Sequence, residues 1–145
     1  VAIGELSTSI GAADITEVEM VTTTADKSEG FTISVRVRYN EPVDVVTTGG
    51  TPTLAVTNGN EGTGTGRGPH TLSYASGTGT NELIFSLAIA AANAATNADD
   101  VLTVGAQTIA LNSGTIKDAS GTASDAALVI SGAVGTAAGS VTVTA

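Results

Sequence analysis

Nine residues, "FTISVRVRY" (31–39), constrain the chain more than any other stretch. Phe31, Ile33, Val35, Val37 and Tyr39 fall on one side of an extended backbone, and Thr32, Ser34, Arg36 and Arg38 on the other. Side chains alternate across a strand with period 2, whereas a helix would scatter these apolar residues around its axis. The stretch therefore predicts a half-buried antiparallel strand, with one face on a core and the other in water. "NEP" (40–42) predicts its end, because Pro42 has no N–H and holds Glu41 extended.

Similar alternation recurs along the chain. "ITEVEMV" (15–21) predicts a strand with Glu17 and Glu19 on its solvent face. "VDVVTT" (43–48), "TLAVT" (53–57), "TLSYA" (71–75), "LIFSLAI" (83–89), "VLTV" (101–104), "QTIALN" (107–112), "TIKD" (115–118) and "ALVIS" (127–131) read as further strands between Gly-containing turns. "AAANAATNADD" (90–100) is the one place expected to form a helical turn. Short strands spaced roughly 8–12 residues apart predict an all-β antiparallel sandwich or barrel. With 3% aromatic residues and no apolar signature of a ligand cavity, a packed sandwich is favoured over a hollow barrel. Residues 1–30 read as an N-terminal arm holding one strand, 31–131 as the sandwich, and 132–145 as a Gly/Ala-rich C-terminal arm. The arms add no evident core layer, yet "VTVT" (141–144) has the β-propensity to join a sheet edge, a partner's included.

Charge narrows the function classes. A net charge of −9 repels nucleic-acid backbones and anionic membrane surfaces, so neither is an expected partner. The chain has no cysteine, which removes disulfides, zinc–thiolate sites and thiol nucleophiles. Its longest weakly polar run, "LIFSLAIAAANAA" (83–95), falls short of the ~18–20 residues a spanning helix needs. "VAIGELSTS" (1–9) carries no basic and apolar signal regions, and the expectation is a complete, unsecreted protein, with a processed product or a fragment as alternatives.

Several pieces occur together in an order that resembles a known family. Tyr39, Glu41, Pro42 and Val43 follow the alternating strand; Gly50, Pro52 and Leu54 form a "G-x-P-x-L" turn and strand. Tyr74, Ser76, Gly77, Gly79, Thr80, Leu83 and Phe85 match "Y-x-S-G-x-G-T-x-x-L-x-F", and Gly114, Ile116, Asp118 and Gly121, with Ala123 close by, follow "G-x-I-x-D-x-x-G-N-x-A". Together they resemble the bacterial immunoglobulin-like domains of large surface proteins and phage structural proteins, over about residues 30–131. Thr122 stands where that pattern has Asn, and Ala123 falls one position before its final Ala. The resemblance implies an immunoglobulin-like β-sandwich acting as a spacer, an adhesive module or a virion-surface decoration rather than as an enzyme. A lone domain with short arms points to a virion-borne protein that contacts capsid or tail subunits and copies of itself. The alternative is a cell-surface module that binds glycan or protein.

Four features are candidates for chemistry. "TNGNEGTGTGRGPH" (57–70) has glycines but neither the spacing nor the following helix of a nucleotide loop, so it reads as a long loop with Arg67 at its tip. His70, the chain's single histidine, is expected to begin the return strand rather than to catalyse. Glu41, Asp44, Asp99, Asp100, Asp118 and Asp125 lie beside turns and are the candidates for a calcium site, since calcium takes carboxylate oxygens from adjoining loops; no other cofactor is implied. Arg36 and Arg38 are expected to pair across strands with Glu17, Glu19 or Glu82, with docking on an acidic partner as the alternative use of Arg36, Arg38 and Arg67.

Overall fold

A computed structural model describes residues 12–58, 69–93, 96–119 and 123–145. The chain is all-β, built mainly from antiparallel pairs, and its largest sheet is curled. That sheet runs in the order β1 (Ile15–Met20), β3 (Phe31–Val46), β6 (Thr80–Ile89), β5 (His70–Ser76) and β4 (Thr53–Val56), with β9 (Thr115–Asp118) paired to the far half of β3. Two smaller sheets complete the fold. One pairs β8 (Gln107–Thr108) with β10 (Val129–Ile130); the other sets β11 (Ser140–Thr144) between β2 (Ala25–Asp26) and β7 (Val101–Thr103).

The strand that dominates the sequence dominates the fold. Ile33, Val35, Val37 and Tyr39 are buried on the inner face, opposite Leu83 and Phe85 of β6. Tyr74 meets Phe85 edge-on with ring centroids 6.1 Å apart, a favoured geometry for two ring quadrupoles. Tyr39 is too polar to bury without a partner, and its hydroxyl donates to the Ala127 carbonyl at 2.9 Å. All the sheets feed one core, to which the smaller ones bring Ala25, Leu102, Ile130, Val141 and Val143.

Pro42 does not end the strand as expected. β3 continues through it to Val46, with a register shift between Arg38 and Val43. The shift is where β3 changes neighbours: β1 flanks its first half and β9 its second. An irregularity of this kind tolerates a residue without an N–H. The Pro42 carbonyl is still used, accepting from Ala119 N at 3.0 Å.

The described parts of the segments read as arms, residues 12–30 and 132–145, pack into the body. Val18 and Met20 of β1 are buried against the core, as are Val141 and Val143 of β11. β11 runs parallel to β2 and antiparallel to β7, so it is the middle strand of its sheet. The single helix among the described residues, α1 (Gly132–Ala137), also lies in the expected C-terminal arm rather than in 90–100. Ser131 caps it, its hydroxyl accepting from Val134 N at 3.2 Å. Gly135 explains its close seat: a Cβ there would lie 2.2 Å from the Gly105 carbonyl oxygen. The described residues between 90 and 100 form turns instead.

The outer edge of β4 is closed by borrowed partners. Thr53 bridges to Ala110 and Thr57 to Thr103. Between them the Gln107 side chain accepts from Ala55 N at 2.8 Å and donates to Ala55 O at 2.7 Å. One side-chain amide thus occupies the place of a strand residue and satisfies an edge that would otherwise invite another chain.

Candidate functional site

Arg36 and Arg38 point outward from β3 because Val35, Val37 and Tyr39 point inward. The register sets Arg38 opposite Glu17 on β1 and Glu82 on β6, and Arg36 opposite Glu19 and Ile84. Arg38 Nη2 lies 2.6 Å from Glu82 Oε1, and its Nη1 lies 3.3 Å from Glu17 Oε2. Arg36 hydrogen-bonds Glu19 and reaches Glu82 Oε2 at 3.8 Å. This is the cross-strand pairing expected for them. The Glu82 hydrogen bond and the charges of Glu82 and Glu17 hold the Arg38 guanidinium more firmly protonated than usual. Pairs this open to solvent contribute little to stability, so the ladder sets register more than it sets stability. Both arginines are matched within the chain, which leaves them poor anchors for an acidic partner.

His70 begins β5, opposite Val56, as expected. Its Nε2 lies 2.7 Å from the Thr96 hydroxyl, and both residues are buried. That contact ties the start of the return strand to the segment leading into β7. Arg67 and most of "TNGNEGTGTGRGPH" lie outside the described residues.

The six acidic candidates do not gather at one place. Asp44 is exposed and sits opposite Lys117, whose Nζ is 3.5 Å from Asp125 Oδ1. Asp100 is buried where β7 begins, and its Oδ2 accepts from Asn97 N at 2.8 Å. Asp99 has φ +70 and donates its N–H to the Val143 carbonyl. Among the described residues no group of three or more Asp, Glu, His or Cys side chains is placed to hold a metal ion. Glu41 and Asp118 do meet, where β3 passes from one neighbour to the next. Asp118 is buried, and the Glu41 carboxyl shares a hydrogen bond with it.

The Glu41–Asp118 contact carries a pH signature. A hydrogen bond to Asp118 holds the Glu41 carboxyl above its ordinary pKa, helped by burial and by the charges of Asp118 and Asp14. A carboxyl raised in the folded state favours its protonated form. Its stabilising contribution is complete below the unfolded-state value and is lost as pH rises through the folded one. Glu41→Gln, which removes the charge and keeps the shape, is expected to raise the urea midpoint at pH 7. That gain should shrink to nothing below about pH 4, where the wild-type carboxyl is protonated as well. Equal gains at both pH values would remove the titration from the explanation.

Each acid was visible in the sequence, but the pairing of Glu41 with Asp118 was not. Its one signal is that both flank the register change at Pro42. A shallow groove between β1 and α1 also escaped, because it depends on a helix that the Gly-rich segment does not advertise. Among the described residues no helix is long and apolar enough to cross a membrane. No known family model matches the chain, nor does any curated protein or solved structure.

Proposed function

We propose that the chain is a non-enzymatic structural protein, an immunoglobulin-like β-sandwich that decorates or cements the surface of a phage capsid or tail. The observation that carries this reading is the outer face of the large sheet. Ser34, Ser86, Ser73 and Thr53 stand opposite one another across β3, β6, β5 and β4, forming one unbroken row. At ~4.8 Å between strands the row extends about 14 Å. Thr32 and Ala88 pair in the next row, and Ala55 and Thr71 pair beyond them. The ladder of Arg36, Arg38, Glu17, Glu19 and Glu82 borders this field on one side. A field of small uncharged side chains on this face of the curled sheet offers shape for packing on another protein and no reactive group. Residues of the family-like motifs support the same reading, since they hold turns: the Tyr74 hydroxyl accepts from Thr78 N at 2.9 Å, and Gly77 and Gly79 carry positive φ.

Gradient-purified particles from cultures making the protein test this directly. The chain is expected to band with capsid or tail subunits, and Ser73→Lys with Ser86→Lys is expected to release it while leaving its circular dichroism unchanged. A chain found in the cell-envelope fraction and never with particles would overturn the reading in favour of a surface adhesin or spacer.

A further inference from the structure

β11 is held by residues remote from it in the chain. It pairs with β2 and β7, and with no strand next to it in sequence. Val143 N donates to the Asp100 carbonyl at 2.8 Å, and Lys27 N donates to that of Thr144 at 2.9 Å. A second copy of the chain offers the same slot between β2 and β7, with the same contacts. The tether to β11 also has a pivot. Ala138 is buried, and its carbonyl accepts from Met20 N at 2.9 Å, while Ser140 already belongs to β11. Gly139 alone lies between them, with φ +86 and open space where a Cβ would stand. A left-handed glycine can turn to an extended backbone without a steric penalty, and hinges are single residues or short runs that absorb such a change.

We propose that neighbouring copies of the chain exchange β11. The strand swings out at Gly139 and takes the place of the neighbour's own β11 between β2 and β7, and the neighbour's strand does the same in return. Five residues beyond the pivot extend about 17 Å, enough to fill the slot end to end. Exchange keeps every contact that the strand makes and alters only the hinge, which is why swapping a terminal element is a low-cost route to a dimer.

Charge permits the approach. Two copies of a chain that carries −9 repel each other, yet residues 126–145 hold no Asp, Glu, Lys or Arg, the longest such run in the sequence. An entering β11 therefore brings no charged side chain into its neighbour. Crowding decides how far exchange proceeds, because a short tether acts like a millimolar concentration of the chain's own strand. Copies packed on a particle surface, on the reading proposed above, meet that condition. The exchange itself needs only a second copy.

The sequence has no cysteine, so single-cysteine variants of the full chain report the exchange cleanly. Val101 and Thr142 are exposed partners across β7 and β11. Partners on antiparallel strands lie about 4.5–5.5 Å apart, inside the Cα range of a disulfide. Val101→Cys and Thr142→Cys chains are mixed at about 1 mM, equilibrated and then oxidised. Peptide mass mapping is expected to find the bond between positions 101 and 142 of different chains in at least tenfold excess over bonds joining like positions. Gly139→Ala penalises the left-handed closed form but not an extended hinge, and is expected to raise that yield at least fivefold. Thr103→Cys with Ser140→Cys, also partners, gives the same reading should a first variant fail to fold. A statistical mixture of bonds, no bond between unlike positions, or an unchanged or lower yield in Gly139→Ala would overturn the proposal. The mixture contains no particles, so strand exchange and particle association fail separately.

Discussion

Deleting residues 140–145 is expected to abolish cooperative unfolding. The deletion removes β11, whose Val141 and Val143 are 5% and 1% exposed. Burying a valine contributes about 1.5–3 kcal/mol, so the two account for about 3–6 kcal/mol. Among the described residues the strand is also the only hydrogen-bonded link between β2 and β7, which have no register with each other. Losing it strands further backbone partners: Val143 N no longer donates to Asp100 O, Asp99 N loses the Val143 carbonyl, and Lys27 N loses that of Thr144. Domains of this size have about 5–15 kcal/mol in total, so the loss takes a large share of the whole. Urea unfolding followed by far-ultraviolet circular dichroism should show a broad or absent transition for the truncated chain. Thr142→Ala, at an exposed position of the same strand, should shift the midpoint little. A truncated chain with the wild-type midpoint would return residues 140–145 to the status of an arm.

That deletion isolates the element whose role was least legible. Both "FTISVRVRY" and "VTVT" alternate, but the first does so over nine residues and the second over four. Four residues fit an edge, a tail or a central strand equally well. The choice among these depends on Ala25, Asp26 and the Val101–Thr103 strand, which no local window of sequence contains. The helix at 132–137 was hidden for a related reason. Two of its six residues are glycine, a poor helix former, and its position is set by close approach to the Gly105 backbone rather than by propensity. The arginine–glutamate ladder was readable because strict alternation assigns a face and opposite charges then find one another across neighbouring strands. The missing N–H of Pro42 predicts a break, whereas the register shift absorbs it. The acidic candidates all lie beside turns, and turn position says nothing about which turns share an end of the molecule.

Gly77→Ala is expected to cost about 3 kcal/mol or more, well above the same change two residues later. Both glycines belong to "SGTGT" (76–80), which joins β5 to β6, and both have positive φ: +117 for Gly77 and +82 for Gly79. At Gly79 an added Cβ meets open space, its nearest neighbour being Asp44 Oδ1 at 4.0 Å. Only the left-handed backbone is penalised there, at about 1–2 kcal/mol. At Gly77 the same atom would lie 2.0 Å from the Glu82 carbonyl oxygen and 3.0 Å from Leu83 Cα, both backbone atoms that cannot rotate away. The hairpin must therefore open, and the turn is fastened to β3 by contacts that will not follow it. Gly79 N donates to Val43 O at 2.8 Å, and Val45 N donates to the Thr78 hydroxyl at 2.8 Å. Hydrogen exchange at the Val45 and Gly79 amides should accelerate in Gly77→Ala beyond the change in global stability, while Gly79→Ala should lower the urea midpoint modestly with that docking intact. Equal costs for the two substitutions would mean that backbone conformation alone, and not the approach of Glu82, requires glycine at position 77.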